Sequence, residues 1–419
     1  MIKSFQKFQP IFAGLVFMKK VLSVILLTAG VATTATAQQQ VSSKDLTGQL
    51  NTVTTMVPFL TITPDSRSAG IGDAGVALFN PDANSVSWNM SNLVNAERQT
   101  GFSLSYAPWL RQLVTDVGFS YLSGYTKSKN GNSVLGGAIR YFSLGNINFT
   151  DFEGNSIGKF NPNELSIEGG YGTKFNKKFS MGVNLRFIYS NIAGNRVLNG
   201  ISTQPGMAGA GDISLLYKTK IKMQGGKLSD FNFGMNIQNI GSKMTYTTRE
   251  QRDFIPTNLK LGVGWKHVID DYNKVGLYLD FNKLLVPTRP YYLQSWDGGD
   301  SFIGNVRQII GRDPNVSVVQ GMVQSFGDAP GGFREEIREW TTSFGGEYWY
   351  DNKFAGRAGI FYESNTKGGR QYLTFGLGMK YEKINIDVAM LVPFARRHPL
   401  SNQLRFSLLF DLGAITDGD

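Results

Sequence analysis

Residues 403–410 read Gln403-Leu404-Arg405-Phe406-Ser407-Leu408-Leu409-Phe410. Leu404, Phe406, Leu408 and Phe410 alternate with Arg405, Ser407 and Leu409. Successive side chains on an extended chain point to opposite faces, so this segment predicts a strand with one oily and one mostly wet face. The pattern recurs in Met181, Val183, Leu185 and Phe187 against Gly182, Asn184 and Arg186, and in Phe231, Phe233, Met235 and Ile237 against Asn232, Gly234 and Asn236. It recurs again in Val275, Leu277, Leu279 and Phe281 against Gly276, Tyr278 and Asp280. A soluble sandwich buries the oily faces, whereas a membrane barrel turns them to lipid and lines its lumen with polar groups. Alternation alone fits both.

The start of the chain separates them. Met18-Lys19-Lys20, the apolar run Val21 to Leu27 and the small-residue site Ala35-Thr36-Ala37 predict a secretory signal peptide over 1–37. Basic residues precede Met18, so translation starts there or the basic region is unusually long. The apolar run is shorter than a membrane anchor needs.

Composition narrows the class further. The 419 residues contain no cysteine, which excludes a disulfide framework, a thiolate metal site and a lipidated N-terminal cysteine. Forty-nine glycines and 12% aromatic residues suit curved strands and aromatic girdles. The formal charge is +10, yet no Lys/Arg run after the signal exceeds two residues. Nucleic acid is therefore not expected as a partner, and outer-membrane lipids are.

Period-two segments bounded by Gly, Asn, Asp and Pro predict strands starting near Gly101, Asp116, Val134, Glu164, Phe179, Asp212 and Asp230. Seven more start near Asn258, Lys274, Trp340, Phe354, Gln371, Ile384 and Gln403. The fold class expected is all-β, a 14-stranded antiparallel transmembrane outer-membrane β-barrel with an N-terminal plug segment. Connections from the second strand onward tend to alternate between tight and long, as in barrels with short periplasmic turns and long outer loops. Those around Lys127 to Asn132 and Lys218 to Ser229 look too long for tight turns. The expected layout is a plug over 38–98, a barrel over 99–411 with a long outer loop at 284–339, and a tail over 412–419.

Several residues stand out within this layout. With a tight turn at Asp270-Asp271, Lys260 and Asp280 fall opposite one another on the wet face, and Asp387 and Arg405 lie within diagonal reach. They are expected to be structural ion pairs of the lumen. Gly70-Ile71-Gly72-Asp73-Ala74-Gly75 spells a dinucleotide fingerprint, but proline-containing loops surround it in place of the strand and helix that the motif needs. The glycines instead predict close backbone approach inside the barrel, and no cofactor is expected. His267 and His398 are far apart, so no shared metal or proton relay is expected. No nucleophile elbow occurs; His398 near Ser401 is the sole hint of a surface lipid hydrolase, such as a lipid A deacylase. The 284–339 loop carries Trp296, Phe302, Phe326 and Phe333, aromatics that predict a docking surface rather than disorder.

Ser68 to Ala77 followed by Asp82-Ala83-Asn84-Ser85-Val86-Ser87-Trp88-Asn89 resembles the N-terminal signature of the FadL-like barrel superfamily. Pro58-Phe59-Leu60 leading into Pro64-Asp65-Ser66-Arg67 resembles, within it, the PorV family of the type IX secretion system of Bacteroidetes. Asn89-Met90-Ser91 departs from the usual Asn-Pro-Ala, and the tail beyond Asp411 is not a usual feature. The resemblance implies a non-enzymatic shuttle. Such a shuttle accepts cargo by its C-terminal signal domain at the SprA/Sov translocon and delivers it to the surface attachment complex containing the PorU sortase. The other use of the superfamily, transport of hydrophobic small molecules, predicts an apolar pocket between plug and wall.

Overall fold

The computed structural model describes residues 50–415 apart from 110–113, 115, 151–152, 193, 195–196, 199–200, 224–227, 248–251, 295–305 and 396–402. The expected signal segment, Trp296, Phe302, His398, Ser401 and residues 416–419 lie outside the described residues.

Fourteen strands close into one antiparallel barrel, each pairing with its neighbours in sequence and the last with the first. In order, β1 to β7 are Arg98–Pro108, Val117–Lys127, Ser133–Leu144, Asn163–Lys174, Phe179–Asn191, Gly206–Lys222 and Leu228–Gly241. β8 to β14 are Asn258–Val268, Asn273–Leu284, Thr341–Tyr350, Phe354–Tyr362, Gln371–Tyr381, Ile384–Pro393 and Gln403–Ile415. Thirteen strands begin within three residues of the starts read from sequence. The exception is β6, which starts at Gly206 rather than near Asp212, because Met207-Ala208-Gly209-Ala210-Gly211 has little hydrophobic contrast between its faces. A bulge between Gly211 and Ile213 shifts its register against β7. β14 also runs beyond the expected barrel end, and Ile415 pairs with Arg98 across another register shift.

The faces divide as a barrel requires. Leu104, Leu122, Leu185, Phe187, Phe233 and Leu377 point outward and are exposed, while Ser105, Ser123, Arg186, Asn232, Glu347 and Asp387 point inward and are buried. Tyr272, Tyr350, Phe354, Tyr381 and Phe175 form an exposed aromatic belt near one rim, as at a membrane interface. All six connections at that rim span two to five residues, and all seven at the other rim span eight or more. Of the two connections that looked too long, 128–132 spans five residues, close to its expected length, and 223–227 is shorter than expected because β6 continues to Lys222.

Residues 50–97 run through the lumen from the long-loop rim to the short-turn rim. At one end the Asn51 N–H bonds the Thr366 carbonyl at 3.0 Å; at the other, Lys127 Nζ donates to the Ala96 carbonyl at 2.8 Å. Between them lie a 3-10 turn, Pro58–Thr61, and the helices α1 (Ser66–Gly70), α2 (Ser85–Trp88) and α3 (Met90–Leu93). Ile71, Val86, Leu93 and Val94 have no solvent exposure. The long connections hold three small hairpins and two further helices, α4 (Val318–Gln324) and α5 (Phe333–Arg338).

Candidate functional site

The glycine motif packs the plug against the wall. Asp65 caps α1 by accepting from the Ser68 N–H at 2.8 Å and also accepts from Trp88 Nε1 at 2.7 Å. Gly72 has φ +77°, and a Cβ there would fall 2.6 Å from the Ile360 carbonyl oxygen of the wall, so only glycine fits without strain. A Cβ on Gly75 would enter the Trp88 ring, and one on Gly70 would sit 3.1 Å from the Gly376 Cα. Asn89 Nδ2 ties the Val76 carbonyl at 2.9 Å to the Leu215 carbonyl of the wall at 3.2 Å.

Charged side chains then clamp the plug. Arg67 donates from Nε and Nη2 to Glu347 at 3.1 and 2.7 Å and to the carbonyls of Asn80 and Phe79 at 2.8 Å each. Glu347 also accepts from Arg357 at 3.0 Å, and Arg357 reaches Asp387 at 2.6 Å. That last contact passes over Gly378, where a Cβ would lie 2.7 Å from Arg357 Nη1. Across the lumen, buried Arg186 pairs with Glu168 and with Asp212, the latter at 2.9 Å.

The ion pairs expected from sequence are partnered differently. Lys260 stands opposite Asn282, and Asp280 opposite Gly262, two positions out of the expected register. Asp280 Oδ2 instead accepts from the plug N–H groups of Gly75 and Val76 at 2.7 and 3.0 Å, and Lys260 Nζ lies 4.2 Å from the centre of the Trp88 ring. Asp387 takes Arg357, while Arg405 donates to the Thr63 carbonyl at 2.5 Å. Backbone groups of the plug took Asp280 and Arg405, and strand-to-strand reasoning cannot see them. Arg67, Glu347, Arg357, Glu168 and Arg186 were not singled out. For the four wall residues the signal was a charge at an inward strand position, where burial demands a partner, whereas Arg67 lies on plug helix α1 and carries no strand pattern.

At the loop rim a second cluster fixes the long connection. Lys283 Nζ meets Glu339 at 2.5 Å and Glu336 at 3.1 Å, and Lys367 Nζ meets Glu335 at 2.6 Å and Glu339 at 2.9 Å. Thr288 Oγ1 donates to Glu339 at 2.6 Å, and Asn51 Nδ2 to Glu335 at 3.1 Å. Asp328, buried beside these acids, has its carboxyl pushed up to about 7 by burial and by the charges of Glu336 and Glu339.

With its acids turned inward, α5 presents Phe333 and Ile337, one helical turn apart, at 76% and 55% exposure. Val319 and Val323 of α4 and the nearby Phe326 are likewise exposed, at 70%, 72% and 52%. Of the four aromatics expected to form a docking surface, Phe326 and Phe333 are thus exposed on a braced loop. Trp296 and Phe302 lie outside the described residues.

Two cavities flank the plug. One of about 350 Å³ opens at the short-turn rim among Arg67, Arg98, Lys266, Glu347 and Asp387. One of about 390 Å³ at the loop rim is lined by Asp73, Lys260, Glu339, Lys367 and Arg370, with Asn and Thr side chains. Charged groups line both, and in the second they are mixed with Val53, Trp88, Leu284, Phe361 and Tyr372.

Among solved structures, the chain resembles the Pseudomonas putida toluene transporter TodX, with 11% identity, TM-score 0.45, and coverage of 86% of this chain and 98% of that one. It also resembles the CymD monoaromatic hydrocarbon channel (13% identity, TM-score 0.47, 84% and 98% coverage) and the Ralstonia pickettii toluene transporter TbuX (13%, 0.45, 83% and 97%). None of the curated proteins compared with it matches. Residues 45–291, more than half of the chain, fit the family described as type IX secretion system protein PorV. A plugged fourteen-stranded barrel with a lipid-facing outer surface is consistent with that match, and the chain is an outer-membrane β-barrel belonging to the PorV family.

Proposed function

We propose that this barrel, placed in the outer membrane after signal-peptide cleavage, is the shuttle of a type IX secretion system. It binds the C-terminal signal domain of secreted cargo at the SprA/Sov translocon and delivers it to the attachment complex containing PorU. The observation that carries this reading is the loop-rim ridge. Five large apolar side chains, Val319, Val323, Phe326, Phe333 and Ile337, stand in solvent, and the last two sit on α5, which buried ion pairs of Glu335 and the adjoining Glu339 brace. Rigid, exposed apolar anchors are what a protein partner covers. Trp296 and Phe302, in the same loop, are assigned to the same contact.

The lumen supports a binding role over conduction. Its plug is bonded to the wall through Arg67 and Asn89, which disfavours an open path for hydrophobic small molecules. The reading is tested in cells by replacing the five ridge residues with serine. Cargo secretion should fall several-fold while the amount of folded, heat-modifiable barrel is unchanged. Normal secretion by this variant removes the ridge from the mechanism.

A further inference from the structure

We infer that Thr52–Thr55 and the loop-rim cavity beside them form a docking site for an extended polypeptide segment. Three observations meet there. First, the run is strung between two anchors, the Asn51 N–H on the Thr366 carbonyl at 3.0 Å and the Met56 N–H on the Phe254 carbonyl at 2.9 Å. Between them, Thr52, Val53, Thr54 and Thr55 belong to no helix, turn or strand pair, and their backbone groups make no hydrogen bond among the described residues. Thr54 is exposed and the other three are half-buried. Backbone groups left unpaired at an accessible edge are completed by an added strand, which bonds through its main chain whatever its side chains.

Second, the cavity lined by Val53, Thr54 and Thr55 holds orphaned acceptors. Asp73 Oδ1, Asn258 Oδ1 and Asn282 Oδ1 are buried and unpartnered. Asp73 is only 9% exposed, and its other oxygen already accepts from Tyr372 at 2.5 Å. Lys260 Nζ, lining the same space, has the Trp88 ring as its contact and no ion pair or hydrogen bond among the described residues. Acceptors beside an ammonium donor match the alternating N–H and C=O groups of an amide chain, and an unmet buried polar group favours a ligand that satisfies it.

Third, the aromatic faces in the cavity are taken. Trp88 packs between Gly75 and Lys260, and Phe361 between Tyr372 and Arg370. Trp88 and Phe361 therefore offer no free face to a sugar, and Asp73, Lys260, Glu339, Lys367 and Arg370 in the lining disfavour a wholly apolar tail. An extended peptide is the occupant these groups fit. The inference rests on the shuttle reading and names the surface that receives the cargo chain.

The test uses the full detergent-solubilised barrel and a purified cargo C-terminal signal domain as probe. Amide hydrogen exchange at Thr52–Thr55 should slow at least tenfold when the domain is added. Thr54→Pro, which deletes one N–H at the edge, should weaken binding at least tenfold by calorimetry, and Asn282→Ala a few-fold, with the melting temperature unchanged. A domain that binds without protecting residues 52–55, and equally well to Thr54→Pro, overturns the site and leaves the shuttle reading intact. A domain that does not bind the unsubstituted barrel contradicts both.

Discussion

Arg67 of the plug and Glu347 of the wall, 280 positions apart, form a two-point pair with Nε on Oε2 at 3.1 Å and Nη2 on Oε1 at 2.7 Å. Neither side chain is more than 7% exposed. Removing Glu347 leaves the buried guanidinium of Arg67 with only the longer carboxylate contact, to Asp82 at 3.6 Å, while Arg357 keeps Asp387. Glu347→Ala should therefore cost about 3–5 kcal/mol, read by denaturant unfolding in detergent. A loss below about 1 kcal/mol, the range of exposed pairs, would mean that this pair does not hold the plug.

Gly75 tests the packing of the plug on itself. An alanine methyl there would intrude on the Trp88 ring, and overpacking of this kind costs about 1–3 kcal/mol. The same substitution in a Trp88→Ala background should cost less than about 0.5 kcal/mol, because the clash has gone. Equal costs in both backgrounds would assign the effect to the backbone instead.

Asp328 makes the loop rim sensitive to pH. Burial raises its pKa from 3.8 to about 7, with Glu336 and Glu339 adding to the rise and Lys283 opposing it. The folded loop thus holds this proton more tightly than the unfolded chain does. Its contribution to stability is full below about pH 4 and is lost as pH rises towards about 7. After correction for intrinsic rates, amides of residues 328–339 should exchange faster at pH 8 than at pH 5.5, and Asp328→Asn should abolish the difference. A pH difference that persists in this variant would place the titrating group elsewhere.

The strands were legible because lipid imposes one rule on every wall residue, and Leu185 beside Arg186 shows it plainly. Where Ala208 to Gly211 carried no contrast, β6 was read six residues too late. The loop helices were not anticipated, since α4 and α5 are seven and six residues long, too short to show helical periodicity. Lumen partners were the least legible. Asp280 answers to Gly75 and Val76, and Arg405 to Thr63, contacts that depend on how the plug threads the barrel. The glycines at 70, 72 and 75 were readable as close-approach positions because a side chain there meets the wall or the Trp88 ring.

The outer face can be checked residue by residue, since the chain contains no cysteine. Spin labels on single cysteines at Leu104 and Leu185, which are 52% and 76% exposed, should collide more with oxygen dissolved in lipid than with a water-soluble relaxer. Labels at Ser105 and Asn184 should show the reverse or be immobile. Water-accessible labels at both leucines would contradict a lipid-facing wall.

The central claim is that the loop rim of this barrel receives cargo. Titrating a purified cargo C-terminal signal domain into the purified barrel by calorimetry tests it most directly. The account predicts saturable binding, weakened at least tenfold by combined Phe326→Ala and Phe333→Ala substitution. No binding, together with a lipophilic molecule found in the purified lumen by mass spectrometry, would contradict it.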